Sequence, residues 1–211
     1  MERIFAVGDI HGSFDKLVSL MDLIDIDWKK ETLVFIGDYV DRGPQSKEVV
    51  DYLMDLGQRQ NGVIFLKGNH EQMLEDYVSG ADRLSFLYNG GEATLESYLK
   101  GGSGNGVDLI PPAHLDFFAN LRLYHETDGY IFVHGGLKPG ISLDQQDEWD
   151  MLWIRDEFIA SKFDFGKRII FGHTPFREPL VLNNKIGIDT GAVYGNKLTC
   201  VELPALRFIS V

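Results

Sequence analysis

The sequence predicts an α/β fold, and three observations support this prediction. Short apolar runs alternate with amphipathic stretches in the first third of the chain, which is the pattern of a strand, a crossover helix and the next strand. The amphipathic stretches repeat their apolar residues with the period of a helix. Five predicted strands end in a polar group flanked by glycine, and ligand sites of α/β sheets gather at the carboxyl ends of strands.

The first third of the chain contains three predicted strands and three predicted helices. The first helix is indicated by Leu17, Met21 and Ile24, whose spacing places them on one face. The predicted elements, in order, are a strand at 3–7, a helix at 13–24, a strand at 32–36, a helix at 45–57, a strand at 62–66 and a helix at 70–79.

The pattern changes from about residue 81 to residue 125, where helical pieces, a double glycine and the run “KGGSGNG” occur. We predict that this segment is a cap or loop inserted into a single catalytic domain spanning residues 1–211, and that the glycine-rich run is flexible. Further strands are predicted at 129–135, 168–173, 185–189 and 197–203.

The composition limits the classes of function. Hydrophobic residues make up 44% of the 211 residues, which suffices for one sizeable core. The formal net charge of -12 disfavours nucleic acid and anionic membrane surfaces as partners. The single cysteine, Cys200, is predicted to be a buried small side chain in a reducing compartment. No apolar run reaches the roughly 20 residues of a spanning helix, and “MERIFAV” is too short for a signal sequence. We therefore expect a cytoplasmic protein, and we expect a monomer.

The polar groups at the strand ends form a candidate metal site. Asp9 and His11 are two residues apart at the first strand exit, where an extended backbone would direct both side chains to one side. Taken alone, this pair is explained equally well as a turn aspartate with an incidental histidine. His114 and His125 lie elsewhere and are predicted to be surface or packing residues. The oxygen and nitrogen donors at the strand ends suffice for two divalent ions. They are Asp9, His11, Asp38, Asn69, His134 and His173.

Two cations at such a site would support hydrolysis of a phosphate ester without a covalent intermediate, because they can lower the pKa of a water molecule and bind phosphoryl oxygens. His70 could protonate the leaving alkoxide as general acid, with Asp41 orienting the imidazole and keeping it protonated. Arg42 and Arg155 are candidates to bind phosphoryl oxygens, since a guanidinium offers paired donors. For Arg155, an ion-pair partner on an amphipathic helix is the more ordinary interpretation.

With these residues assembled, the chain resembles the phosphoprotein phosphatase family of metal-dependent phosphatases, particularly its compact bacterial and bacteriophage members. The resemblance is carried by “GDIHG”, “GDYVDRGP” and “GNHEQM”, followed by “VHGG” and “FGHT”, and it extends over residues 4–203. It implies the calcineurin-like metallophosphatase fold, in which two packed mixed β-sheets are flanked by helices as an α-β-β-α sandwich. It also implies a protein serine/threonine phosphatase that hydrolyses phosphoprotein or phosphopeptide substrates.

The same resemblance implies a role for each site residue. His70 would be the general acid paired with Asp41, and Arg42 and Arg155 would bind the phosphate. Asn69 and His70 would also contact the substrate. The first ion would be bound by Asp9, His11 and Asp38, and the second by Asp38, Asn69, His134 and His173, with Asp38 bridging. Manganese is our choice of metal for activation in vitro, and iron, zinc or cobalt would suit the same ligands.

Lys67 is a departure from the family pattern. Many members have arginine at this position, immediately before “GNHE”, so a point charge here replaces a forked donor. The substitution leaves the predicted metal ligands in place.

Three functional hypotheses remain. The first is a protein serine/threonine phosphatase, with phosphotyrosine as a further substrate. The second is a dinucleoside polyphosphate hydrolase of the diadenosine tetraphosphatase group. Those enzymes typically have alanine at the position of Asp41 and aspartate at that of Glu71, so both residues favour the first hypothesis. The third is a binding or scaffold protein that has lost catalysis, which is disfavoured because none of the six expected ligands is missing.

Overall fold

The computed structural model describes residues 2–100 and 106–211, and it contains two five-stranded β-sheets. Most of the glycine-rich run that is predicted to be flexible lies outside the described residues. Across the first sheet, the strands are β10 (Arg207–Ser210), β9 (Thr199–Leu203), β1 (Ile4–Val7), β2 (Thr32–Phe35) and β3 (Val63–Phe65). Across the second sheet, they are β4 (Tyr124–Glu126), β5 (Tyr130–Val133), β6 (Arg168–Phe171), β8 (Lys185–Gly187) and β7 (Leu180–Val181).

Helices connect the strands and cover the outer faces of the sheets. They are α1 (Phe14–Leu23), α2 (Ser46–Arg59), α3 (Asn69–Ser79), α4 (Arg83–Phe86), α5 (Glu92–Lys100), α6 (Pro112–Ala119), α7 (Glu148–Trp153) and α8 (Asp156–Ala160). A π-helical turn at Leu87–Gly91 joins α4 to α5, and short 3-10 turns occur at Gly106–Leu109, Leu143–Gln145 and Ala192–Tyr194. Among the helices of these described ranges, none combines the length and apolarity needed to cross a membrane.

Both sheets are mixed. In the first, β1, β2 and β3 are parallel, while β9 runs antiparallel to β1 and to β10. In the second, β5, β6 and β8 are parallel, and β4 and β7 pair antiparallel at the two edges. The parallel strands of both sheets end at the same edge of each sheet, and the predicted site residues follow these ends.

Successive residues of the central strands alternate between two cores. Phe5 and Val7 of β1 pack under the helices, whereas Ala6 packs in the cluster between the sheets. Phe132 and Ile170 of the second sheet belong to that same inner cluster. Since both faces of these strands are buried, the strands are continuously apolar and do not alternate apolar with polar residues.

The predicted fold class is confirmed, as are the seven predicted strands and the helices of the first third, with bounds that differ by at most two residues. The three strands that the sequence analysis missed are β4, β7 and β10, and all three are edge strands. Cys200 is buried as predicted. Within the segment predicted to be a cap, Phe86, Tyr98 and Phe118 pack into the same cluster as α1 and α2.

Candidate active site

The backbone at the carboxyl ends of the strands is strained. Six non-glycine residues of the described chain have a positive φ, and five of them follow β1, β2 or β6. Such conformations cost roughly 1–3 kcal/mol each and cluster at functional sites, where surrounding contacts hold them. The five are His11, Asp38, Asp41, Arg42 and His173. All five are residues that the sequence analysis singled out.

The path of the chain between Asp9 and His11 differs from the prediction. The predicted extended backbone is wrong, because His11 has a φ of 46°. The backbone N–H groups of Ile10 and His11 both donate to the carbonyl oxygen of Asp38, at 3.0 and 2.8 Å, and these bonds turn the chain toward the end of β2. Both side chains are nevertheless buried at the site, with exposed fractions of 3% for Asp9 and 4% for His11.

Asp38 lies between two groups of possible metal ligands. One of its carboxylate oxygens is 3.3 Å from Nε2 of His11, and the other is 3.3 Å from Nε2 of His134. Within the described residues, Asp38 is shared by two sets of side chains whose ligand atoms lie within 4.8 Å of one another. The first set adds His11 and His70, and the second adds His134 and His173. This position suits a carboxylate that contacts two cations.

The ligand atoms of the second set lie so close together that a positive charge between them would be favourable. Nδ1 of His134 donates to the carbonyl oxygen of Ile36 at 2.8 Å, so Nε2 of the neutral ring carries a lone pair. That lone pair faces Asp38 at 3.3 Å and the amide oxygen of Asn69 at 3.0 Å, and both oxygens are acceptors. Burial would lower the pKa of His134, but Asp38, Asp9 and the carbonyl group of Ile36 together outweigh burial and raise the pKa to about 9. Because a proton or a metal cation would relieve the repulsion, the donor set fits a divalent ion.

Glycines next to the ligands allow the backbone to approach them closely. A Cβ atom at Gly68 would lie 2.2 Å from a carboxylate oxygen of Asp38, and one at Gly172 would lie 2.1 Å from a carboxylate oxygen of Asp9. Any other residue at these positions would displace the carboxylates. The glycine that flanks each polar group in the sequence therefore has a steric role at these two strand ends.

Asp189 is a site residue that the sequence analysis missed. It follows β8, is 5% exposed, and accepts a hydrogen bond from the backbone N–H of Gly191 at 2.9 Å. Burial and the charge of Asp189 raise the pKa of Asp9 well above its ordinary value, which indicates that these carboxyl groups repel each other. Asp9 belongs to neither of the two ligand sets found among the described residues, and its carboxylate accepts from the backbone N–H of His173 at 3.0 Å. The signal that could have revealed Asp189 is “IDTG”, a further strand end with a polar group and glycine.

His70 and Asp41 form a buried pair. Nδ1 of His70 lies 2.6 Å from a carboxylate oxygen of Asp41, and Nε2 of His70 is buried without a partner among the described residues. The other carboxylate oxygen of Asp41 accepts from the hydroxyl of Thr94 at 2.7 Å. Because Thr94 lies on α5, the helical segment after residue 81 helps to position this pair.

Burial shifts the pKa values of this pair in opposite directions. It lowers the pKa of His70 well below the ordinary value and raises that of Asp41 to about 7. Burial thus opposes the protonation of His70 that the sequence analysis expects, while the contact with Asp41 fixes the orientation of the ring. The ligand atom of His70 is also close enough to His11 and Asp38 to bind a shared metal ion, so metal content has to separate the two roles.

Glu71 is fully buried and supports the backbone. One carboxylate oxygen accepts from the backbone N–H groups of Asp38 and Gly68, at 2.8 and 2.9 Å. The other accepts from the backbone N–H of Tyr39 at 2.8 Å. The side chain therefore joins the loop after β2 to the start of α3, and burial raises its pKa to about 7.

Arg42 is held from three directions. Its Nη1 donates to Nε2 of His11 at 2.5 Å, and its guanidinium carbon lies 5.6 Å from the ring centroid of Tyr194. Its backbone N–H donates to the carbonyl oxygen of Gly90 at 3.0 Å. These contacts place a fixed positive charge beside the first ligand set.

Arg155 lies between α7 and α8, and not on an amphipathic helix as the ordinary interpretation assumed. Its side chain is exposed, and its Nε donates to Nε2 of His173 at 2.9 Å. Nδ1 of the same ring lies 2.7 Å from the amide oxygen of Asn69. Burial and the neighbouring His134 lower the pKa of His173 to about 2, so the ring is neutral. The second ligand set thus has an arginine at its outer side, as the first set does.

Lys67 contacts carboxylates of two helices. Its ammonium group is 2.7 Å from Glu75 on α3 and 3.5 Å from Glu148 on α7. The lysine that replaces the usual arginine therefore ties α7 to α3.

The two remaining histidines take part in packing. His114 is buried, with Nδ1 2.7 Å from the hydroxyl of Tyr98 and Nε2 3.0 Å from Asp51. His125 stacks on Phe132 with ring centroids 5.9 Å apart. Both positions agree with the prediction of surface or packing residues.

The comparisons with known proteins agree with this site. The calcineurin-like phosphoesterase family matches residues 2–200, and the chain belongs to this family of metallophosphoesterases. A curated relative, the asymmetrical bis(5′-nucleosyl)-tetraphosphatase PrpE of Anoxybacillus flavithermus, is 28% identical over 97% of this chain and 92% of its own length. The solved structure of a candidate diadenosine tetraphosphatase has a TM-score of 0.80 at 26% identity and covers 100% of this chain and 93% of that one.

A third similar protein belongs to another functional class. The structure of a cold-active protein tyrosine phosphatase has a TM-score of 0.74 at 19% identity, and the match covers 100% of this chain and 76% of that one. At this identity the likeness concerns the fold alone. The similar protein phosphatase is therefore a more distant neighbour than the tetraphosphatases.

Proposed function

We propose that this metallophosphoesterase hydrolyses dinucleoside polyphosphates asymmetrically, so that diadenosine tetraphosphate and water give ATP and AMP. The observation that carries the hydrolytic part is the position of Asp38 between two acceptor-rich ligand sets. The substrate class is supported by the tetraphosphatase relative that matches this chain over 97% of its length. This substrate was the second hypothesis from the sequence, and the relatives favour it over the first.

Each side chain has a task in the proposed reaction. Divalent ions bound by the two sets would activate a water molecule and withdraw charge from the phosphoryl oxygens. Asp38 would contribute to both sets and Asn69 to the second, and we propose manganese as the activating metal in vitro. Arg42 and Arg155 border opposite sets, so their guanidinium groups would bind phosphoryl oxygens of a polyphosphate from two sides.

The leaving group determines how much His70 contributes. Asymmetrical cleavage releases ATP, whose terminal phosphate is a weak base and leaves without full protonation. Cleavage of phosphoserine or phosphothreonine releases an alkoxide, which requires a proton. His70 therefore matters less for the tetraphosphate than for a protein substrate.

A second candidate function is a protein serine/threonine phosphatase, which was the first hypothesis from the sequence. The buried pair of His70 and Asp41 favours it, because Asp41 holds the imidazole in place and Nε2 has no partner among the described residues, so that a protonated ring could give its Nε2 proton to an alkoxide. The same pair would act with phosphotyrosine as substrate.

A comparison of substrates tests the proposal. The purified protein, loaded with Mn²⁺, is assayed with diadenosine tetraphosphate and with a phosphothreonine peptide, and the nucleotide products are separated by chromatography. We expect a higher kcat/KM for the dinucleotide, with ATP and AMP in equal amounts. A higher kcat/KM for the peptide would favour the second candidate, and two molecules of ADP would contradict asymmetrical cleavage.

A further inference from the structure

A stacked pair of tryptophans, one exposed and one half-buried, borders the second ligand set. Trp149 and Trp153 are one helical turn apart on α7, with ring centroids 5.2 Å apart and an angle of 21° between the rings. Trp149 is 64% exposed, which is unusual for so large an apolar side chain. One face of its ring packs on Trp153, so the outer face is open to a ligand.

The stack is continuous with the site. The ring of Trp153 meets the ring of His173 edge to face, with centroids 5.9 Å apart. Arg155, two residues further along, donates to the same imidazole. The end of α7 therefore places an aromatic stack and a guanidinium group against one predicted metal ligand.

The helix that carries the stack is held in place. Lys67 binds Glu148 on α7 and lies two residues before Asn69, the first residue of α3. The carboxylate of Asp147 accepts from the backbone N–H of Trp149 at 2.8 Å and caps the helix. The aromatic surface is thus preorganised, which lowers the entropic cost of ligand binding.

We propose that the outer face of Trp149 stacks a nucleobase of the substrate, a proposal that rests on the proposed function and assigns its base-binding site. Aromatic side chains beside a phosphate-binding site are a common means of binding bases, because every base has a planar π face. The carboxylates of Glu148 and Asp150 on the same helix suit an uncharged planar group better than an anion. Arg155 would then bind the phosphate chain between the base and the ligand sets.

Steady-state kinetics on diadenosine tetraphosphate give the first test. Trp149→Ala is expected to raise KM roughly tenfold with kcat within twofold, because stacking contributes to binding and not to the chemical step. Trp149→Phe should recover most of the loss. Phe163→Ala is the matched control: Phe163 is 43% exposed and packs on another aromatic ring, Phe165, but precedes β6, whereas His173 follows it. Both of its kinetic constants should stay within twofold of wild type.

Calorimetric binding separates this proposal from the proposed function. Adenosine 5′-(β,γ-methylene)triphosphate and methylenediphosphonate are titrated into the Mn²⁺-loaded wild type and Trp149→Ala proteins. We expect the Kd of the nucleotide analogue to rise roughly tenfold in the variant and that of methylenediphosphonate to stay within twofold.

Each outcome decides between the two claims. If the wild type does not hydrolyse diadenosine tetraphosphate but the nucleotide Kd still rises in Trp149→Ala, the proposed function fails and the base site stands. If hydrolysis occurs and both KM and Kd are unchanged in the variant, the base site is overturned and the function stands. A KM increase for a phosphotyrosine peptide, with none for the dinucleotide, would also overturn the base site.

Discussion

The two ends of the parallel strands differ in backbone conformation and in the burial of their polar side chains. At the carboxyl ends, five residues have a strained backbone, and charged side chains such as Asp38 are almost fully buried. At the amino end of the second sheet lies a cavity of about 860 Å³, which is lined by exposed polar residues such as Lys162 and Asn183. This cavity therefore has ordinary surface chemistry, whereas the buried carboxylates and histidines lie at the carboxyl ends. Strain and buried acceptors mark this site better than cavity volume does.

The largest effect at the carboxyl ends is expected for His70→Asn. On a phosphothreonine peptide, kcat should fall roughly 10²–10⁴-fold, because the alkoxide loses its proton donor. The loss on diadenosine tetraphosphate should be at least tenfold smaller, since ATP leaves as a weak base. Both values come from steady-state assays of the Mn²⁺-loaded protein.

Metal analysis of the same variant is the control for this prediction. Bound Mn²⁺ should be unchanged, because Asp41 and not a metal is the assigned partner of His70. Loss of one ion per chain would assign His70 as a ligand, and equal losses of kcat on both substrates would contradict the leaving-group argument.

A smaller effect, on stability, is expected for Glu71→Ala. The substitution leaves buried backbone N–H groups without their acceptor, among them those of Asp38 and Tyr39, and we expect a loss of about 3 kcal/mol in the free energy of unfolding. Urea denaturation measures it. Glu75→Ala on the same helix is the matched control, because Glu75 forms only a partly exposed ion pair, with Lys67, and should cost at most about 1 kcal/mol. Equal costs for the two variants would show that the contacts of Glu71 do not support the fold.

The smallest effect is expected at the amino end. Lys162→Ala, in the lining of the large cavity, should change the free energy of unfolding by less than about 0.5 kcal/mol, because Lys162 is exposed. Its kcat/KM on diadenosine tetraphosphate should stay within twofold of wild type. A fivefold or greater decrease would show that the amino end takes part in function.

The apolar strands and the α/β alternation could be predicted from the sequence, because strands buried on both faces are continuous apolar runs. Periodicity alone could not show that the strands form two sheets, since Ala6 is buried equally well by a helix or by a second sheet. The two-sheet arrangement came from the family resemblance. Three of the four edge strands, β4, β7 and β10, were missed because they are short or partly exposed and give weak patterns, as β7 with two residues illustrates.

The residues of the candidate site could be predicted better than their geometry. Most of them follow apolar strands and are flanked by glycine, and this signal located all six predicted ligands at the strand ends. The turn at His11 could not be predicted, because hydrogen bonds to the distant Asp38 impose its positive φ. Asp189 was overlooked although it follows the same rule. The ligand residues do not determine the substrate class. Motif residues such as Asp41 and Glu71 indicated a protein phosphatase, whereas the relatives are tetraphosphatases.

The central claim is that Asp38 lies between two divalent cations, and metal stoichiometry tests it most directly. Equilibrium dialysis with Mn²⁺ followed by elemental analysis should give two ions per chain for the wild type. Asp38→Asn should lose at least one of them, because one of the two carboxylate oxygens becomes an amide nitrogen without acceptor capacity. The exposed Asp144→Asn should retain both. One ion or none in the saturated wild type, or two ions in Asp38→Asn at the same free Mn²⁺, would contradict the account.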